Sequence, residues 1–328
     1  MAGSTLSLLF IILIVNQIAA ATNPSSEGLS YNFYDKTCPH VEDIVRAVLA
    51  SVFASDPTSP AALLRLMFHD CQVQGCDGSI LIESLPSKPL EMAASKNFGI
   101  RKREAINLIK SRIEVECPGQ VSCADILVLA AREAVAISGG PSIQVPLGRR
   151  DSPFSASSES ADASLPSADI GVDDALGLFA KLGMTAEEAV AILGAHTLGI
   201  THCLNVMDRL YKSYGERAGE INPKFEAVLK VTCPQWMALT QNTSFVFNDP
   251  STFHFDNLYF KNAMAGQGVL RIDAELPLHP KTTSIVQQFG ADQDHFFQAF
   301  GSAFVKLSFA GVLTGTQGVI RNVCSVGI

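Results

Sequence analysis

Arg65 and His69 stand four residues apart, a spacing that puts both on one face of a helix. Leu64 and Phe68 beside them are apolar. A guanidinium and an imidazole on such a face are costly to bury unless they serve a pocket. Together they suit proton transfer next to a developing negative charge. A structural arginine beside a hydrogen-bonded core histidine is the competing reading. Just downstream, Asp70, Asp77 and Ser79 share a short stretch with Gly75 and Gly78, pinched by Cys71 and Cys76. Carboxylates, hydroxyls and carbonyls folded inward are what calcium requires, although an Asx-rich turn without an ion has the same composition. Further on, Gly194-Ala195-His196-Thr197-Leu198-Gly199 follows a capped helix. A lone histidine there is commonly structural or answers the helix dipole.

The elements that must carry these residues read mostly as helix. Val41, Ile44, Val45, Val48, Leu49, Val52 and Phe53 keep the i, i+3, i+4 spacing. Ser59-Pro60 reads as an N-cap followed by proline at the first helical position. A helix is expected over 122–137, stopped by Gly139-Gly140. Thr185 and Glu188 form a capping box ahead of 189–193. Further helices are expected over 205–214, 256–265, 282–289 and 293–309. Strand signals are few. The polar stretch 152–169 reads as a long surface loop or linker. The fold class is therefore mostly α, with helices before and after that loop packed as two lobes of one unit.

The chain has 328 residues, 47% of them hydrophobic, and a formal net charge of −8. The charge argues against a nucleic-acid partner, which needs a concentrated basic face. Residues 6–18 form an almost unbroken apolar run followed by Ala19, Ala20 and Ala21, the pattern of a signal peptide over 1–22. The mature unit is then expected over 23–328, outside the cell and without a membrane anchor. Eight cysteines, an even number, fit four disulfides in an exported chain. No Cys or His spacing suggests zinc. Asn242-Thr243-Ser244 is a glycosylation sequon. His40, His202, His254, His279 and His295 are scattered without ligand spacing and read as structural side chains, as does Trp236.

The run from Arg65 through Leu81, Arg-Leu-Met-Phe-His-Asp-Cys-Gln-Val-Gln-Gly-Cys-Asp-Gly-Ser-Ile-Leu, resembles the distal signature of the class III secretory plant peroxidases, haem enzymes. The segment around His196 is similar to that family's haem-ligand segment. The likeness continues through Val121 to Asp125, Val145 to Asp151, Leu165-Pro166, 247–257 and Leu313 to Gly318. The resemblance implies the haem peroxidase fold, two helical lobes around one haem b. It implies reduction of hydrogen peroxide with one-electron oxidation of small phenolic donors, in peroxide removal, oxidative stress response or cell-wall lignin chemistry.

By that resemblance His69 is the acid–base catalyst, Arg65 the charge stabiliser, Phe68 an apolar wall and Asn97 the acceptor that orients His69. His196 is the axial iron ligand and Asp273 the carboxylate that orients it. Asp70, Asp77, Ser79 and the carbonyls of Val73 and Gly75 hold a distal calcium, with Glu91 acting through water. Thr197, Ser251, Asp256 and the carbonyl of His254 hold a proximal calcium. Its remaining ligand is Asn248 or, as a better calcium binder, Asp249. Pro166 lines the donor site, Asp125 pairs with Arg149, and the chain is a monomer. The implied disulfides are Cys38–Cys117, Cys71–Cys76, Cys123–Cys324 and Cys203–Cys233. Met67, Gln72, Ser95, Leu198 and Asn205 depart from common members of the family and bear on donor preference. A peroxidase-like protein without turnover and a metal hydrolase using His69, Asp70 and His196 are the rival readings.

Overall fold

The computed structural model describes residues 28–83, 90–211, 221–236 and 244–327. The expected leader over 1–22 and the sequon at Asn242 lie outside them. Thirteen α-helices are described. In the first half they are α1 Val41–Ser55, α2 Ser59–Gln72, α3 Arg103–Glu116, α4 Cys123–Ile137 and α5 Ser158–Ser164. Then come α6 Val172–Ala180, α7 Ala186–Leu193, α8 Met207–Tyr211 and α9 Pro223–Thr232. The last are α10 Leu258–Met264, α11 Arg271–Glu275, α12 Thr283–Ala291 and α13 Gln293–Ser308. A small antiparallel pair joins β1 Ile200–His202 to β2 Phe245–Phe247, with Thr201 opposite Val246.

Local chemistry explains the boundaries. Ser122 caps α4 by accepting from the Asp125 N–H, and Gly139 beyond it takes the left-handed conformation at φ 94° that ends a helix without a Cβ clash. Thr185 and Glu188 form the expected capping box on α7. Ser59 and Pro60 are instead the first two helical residues of α2, with Thr58 as the flanking residue. The loop expected over 152–169 contains α5, whose N-terminus Ser157 caps by accepting from Ser160 N–H. Its composition hides the helix because only Ala161 of its residues is buried. Helices α3, α6 and α9 were not expected from periodicity. Of the span 205–214, only Met207–Tyr211 is α-helical among the described residues.

α2 packs most extensively on α4, which also supports α1 and α3; α7 lies on α13, and α10 on α12. One apolar cluster joins both groups. In the second group Phe255, Phe260, Phe289, Phe296, Phe300 and Phe304 are fully buried. Most of their rings meet edge-on or tilted, for example 4.7 Å between the centroids of Phe255 and Phe300, while Phe255 and Phe296 stack at 5.6 Å, all geometries that the aromatic quadrupole allows. A satellite core surrounds Cys203 and Cys233 with Val206, Leu210, Leu229, Val246 and Val269. Four disulfides, Cys38–Cys117, Cys71–Cys76, Cys123–Cys324 and Cys203–Cys233, staple the frame in the pairing that the resemblance implies.

Deep between α4 and α13, the Arg149 guanidinium donates to Asp125 at 2.8 Å and to the Ser308 and Pro146 carbonyls. Both side chains are fully buried. Asp125 also accepts from the Tyr34 hydroxyl at 2.8 Å and the Gly148 N–H at 2.7 Å. Every charge in this knot is thus answered, and removing one partner strands the other. Asp125→Ala should lower the unfolding free energy by about 3–5 kcal/mol, measured by denaturant unfolding. A loss below about 1 kcal/mol, the range of exposed pairs, would contradict this placement.

Candidate functional site

α2 carries Arg65, Phe68 and His69 on one face. The His69 ring is buried, 6% exposed, and its Nδ1 lies 2.7 Å from Asn97 Oδ1. Asn97 Nδ2 donates to the Glu91 carbonyl at 2.8 Å, which turns the amide oxygen toward the imidazole. His69 Nδ1–H is therefore the donor, and Nε2 carries the lone pair. Among the described residues Nε2 has no partner. Burial, reinforced by the nearby Arg65 charge, pushes the His69 pKa down to about 3, so the ring is a neutral base at ordinary pH. Phe68 sets its ring edge-on to His69 at 5.8 Å and meets Phe179 at 6.2 Å.

Arg65 donates to the carbonyls of Phe98 at 3.0 Å and Lys96 at 3.3 Å. Among the described residues no carboxylate pairs with it, and burial lowers its pKa to about 10. His202, read as structural from sequence, lies against the same spot. A Cβ built on Gly99 would meet both the His202 ring at 3.1 Å and the Arg65 guanidinium at 3.4 Å. His202 Nδ1 is buried without a partner. A guanidinium and an imidazole without an acid nearby fit an anionic group, such as a haem carboxylate.

On a separate segment His196 lies in the turn Gly194–Thr197 that follows α7, and its Nδ1 lies 2.9 Å from Asp273 Oδ1. Asp273, at the start of α11, also accepts from the Tyr259 hydroxyl at 2.7 Å and the Leu270 N–H at 3.0 Å. Burial pushes its carboxyl pKa up. The His196 charge and these hydrogen bonds outweigh burial and hold it below the ordinary value. Burial, with the Asp273 charge, drives the Tyr259 hydroxyl well above its own, so it stays a donor. Sequence reading missed Tyr259; its sole signal is its place one helical turn after Asp256. His196 Nε2 is left without a described partner, on a ring 32% exposed. The segment reaches the distal helix: a Cβ on Gly199, at φ 91°, would come within 2.7 Å of the Ala61 Cβ. Two imidazoles fixed through Nδ1 with free Nε2 atoms, an apolar wall and an unanswered cation fit a haem.

Two oxygen-rich loops flank this centre. Asp70 accepts from the Gly78 N–H at 3.0 Å and the Ile80 N–H at 3.4 Å. Asp77 accepts from the Ser79 N–H, and the Ser79 hydroxyl donates to Glu91 at 3.1 Å. All four side chains are buried, and Glu91 Oε1 has no partner. Burial and mutual repulsion raise Asp70 well above the carboxylate range, raise Asp77, and bring Glu91 to about 8. Arg321 answers Asp70 and Asp77 only in part, and such an acidic cluster fits a cation. In the second loop the Thr197 hydroxyl donates to Asp249 at 2.8 Å, and the Ser251 hydroxyl reaches Asp249 and Asp256, both at 3.0 Å. Asn248 is turned away: its Oδ1 accepts from Thr201 and its Nδ2 donates to the Leu198 carbonyl. The backbone N–H of His254 donates to the Ser251 carbonyl. Among the described residues no three His, Cys, Asp or Glu side chains converge as a metal cluster, so either loop would need hydroxyl and carbonyl oxygens as well. Pro166 follows Leu165, whose carbonyl accepts from Lys96 Nζ at 2.6 Å.

A family model described as peroxidase matches residues 45–292. Peroxidase 29 of Arabidopsis thaliana is 54% identical over 303 residues, covering 92% of this chain and 89% of that protein. Peroxidase 12 of the same plant is 41% identical, covering 92% and 83%. Cationic peroxidase SPC4 of Sorghum bicolor is 39% identical with the same coverage.

An unfolded histidine takes its proton near 6.5, whereas folded His69 resists down to about 3. Over that interval the unfolded chain binds the extra proton, so stability is lost as pH falls. From about pH 6.5 to about pH 4, the parent should lose about 3 kcal/mol more unfolding free energy than His69→Gln. Parallel losses in denaturant titrations of the two proteins would refute a neutral buried His69.

Proposed function

The chain belongs to the plant peroxidase family, as a member of its secretory class, and we propose that the space between His69 and His196 is its catalytic centre. It is a haem peroxidase, an oxidoreductase that reduces hydrogen peroxide and oxidises donor molecules. The observation that carries the site assignment is the pair of imidazoles, each held through Nδ1 and each presenting an unpartnered Nε2.

One haem b per chain would be held by His196 through Nε2, with Phe68 supplying apolar contact and Arg65 and His202 answering its carboxylates. When bound, it supplies the electron-transfer chemistry of peroxide reduction and of one-electron donor oxidation. His69 Nε2 takes the proton of one peroxide oxygen and returns it to the other, which leaves as water. Asn97 keeps the tautomer that makes this possible. The Arg65 guanidinium stabilises the charge that develops as the O–O bond breaks. Asp273, steadied by Tyr259 and Leu270, draws on His196 Nδ1–H and makes the ligand nitrogen more electron-rich.

Two calcium ions would stiffen the frame. Asp70, Asp77, Ser79 and the carbonyls of Val73 and Gly75 would take the distal ion, with Glu91 through water. Thr197, Asp249, Ser251, Asp256 and the His254 carbonyl would take the proximal ion. Asp249 is preferred because Asn248 already spends its amide on Thr201 and Leu198. Small phenols would rest at Pro166. Residues 1–22 would direct export to the wall, apoplast or vacuole, leaving 23–328 as one monomeric unit glycosylated at Asn242. Among the described residues no helix is long and apolar enough to cross a membrane.

Arg65→Leu and His69→Ala should each slow the reaction with peroxide by about 10²–10⁴-fold while haem stays bound, followed by stopped-flow absorption. Unchanged peroxide kinetics in either variant would overturn its assigned role.

A further inference from the structure

Residues 95–98 have two sets of partners. Inward, the Lys96 and Phe98 carbonyls accept from Arg65, and Asn97 holds His69. Outward, the same segment grips α5, 66 residues along the chain. The Asp162 carboxylate accepts from the Ser95 N–H at 3.1 Å, the Ser95 hydroxyl at 3.0 Å and the Lys96 N–H at 2.9 Å. In return, Lys96 Nζ donates to the carbonyls of Asp162 and Leu165, both at 2.6 Å. Gln72, at the end of α2, adds a bond from its Nε2 to the Ser164 carbonyl at 3.3 Å.

The Leu165 carbonyl matters most. It belongs to the peptide bond that enters Pro166, and proline has no N–H to anchor that peptide. The carbonyl oxygen is its one polar handle, and the Lys96 ammonium holds it. The bond is charge-assisted, stronger than a neutral one. Lys96 loses considerable rotamer freedom to make it. Neither Lys96 nor Asp162 is buried, so neither is there to fill the core.

We propose that Lys96 and Asp162 form a positioning clamp for the reducing substrate, holding Leu165–Pro166 at a fixed distance from the Arg65–His69 pair. The proposal rests on the reading that phenolic donors dock beside Pro166. Neither clamp side chain exchanges protons or electrons with substrate. The clamp fixes the rim on which an aromatic ring would lie, and so acts on the affinity for the donor more than on the peroxide step.

The test uses the haem-loaded protein with three variants, Lys96→Met, Lys96→Arg and Pro166→Ala. Guaiacol serves as the oxidised donor and anisole as an aromatic probe that lacks the phenolic hydroxyl. Loss of the charge-assisted bonds in Lys96→Met should raise the guaiacol KM and weaken anisole binding by about tenfold. Its kcat and its rate constant with peroxide should stay within about threefold of the parent. Lys96→Arg, which keeps the charge and the donors, should restore most of the donor affinity. Unchanged guaiacol KM and anisole affinity in Lys96→Met would overturn the clamp, as would a fall in the peroxide step matching the loss of donor affinity. If Lys96→Met weakens anisole binding and Pro166→Ala does not, docking beside Pro166 fails and overturns the clamp as a device for that place, although Lys96 still governs donor affinity. If Pro166→Ala weakens it and Lys96→Met does not, the clamp fails and the docking place stands.

Discussion

Everything at the centre depends on the hydrogen bond made by the far side of each imidazole. An unsupported histidine can rotate and can carry its proton on either nitrogen. Here Nδ1 of His69 is fixed by an amide oxygen and Nδ1 of His196 by a carboxylate. The two acceptors differ in charge, and that difference separates the roles. The neutral Asn97 leaves His69 free to become cationic for a moment and then release its proton. The anionic Asp273 would make His196, as the proposed haem ligand, permanently electron-rich. The same ring thus does two kinds of work, according to its partner.

The scaffold converts these local bonds into a fixed separation. α2 is held on α4, and α4 is tied down by the Asp125–Arg149 knot at its base and by Cys123–Cys324. The segment 95–98 supports Arg65 and His69 from one side and reaches toward Pro166 on the other. On the opposite face, Tyr259 from α10 and Leu270 before α11 hold Asp273. The buried acids of the distal loop oppose folding on their own, because each raises the charge burden of the next. A cation among them would turn that repulsion into a restraint next to His69.

Much of this was legible in the sequence, because the signals were local. The four-residue interval between Arg65 and His69, the capping box at Thr185 and the crowded turn after His69 each declare themselves within about a dozen residues. Helix α5 was not legible, since its Ser-rich composition reads as loop and its N-cap does most of the work. Tyr259 was missed because an aromatic in an apolar helix looks like core until its hydroxyl is seen on Asp273. His202 was set aside as scattered, and only the fold brings it against Arg65. The clamp proposed between Lys96 and Asp162 joins two ordinary charged residues through each other's backbone groups across dozens of residues, where no periodicity could point to it. Between Asn248 and Asp249, the hydrogen bonds that the Asn248 amide already makes to Thr201 and Leu198 favour Asp249 as the proposed ligand.

The central claim, that His196 grips the metal while His69 waits over its open side, is tested most directly by haem titration followed by absorption and resonance Raman spectra. The account predicts one haem per chain in the parent and in His69→Ala, both showing an iron–imidazole vibration. In His196→Ala that vibration is absent and the affinity for haem falls sharply. The same vibration and affinity in all three proteins would contradict it.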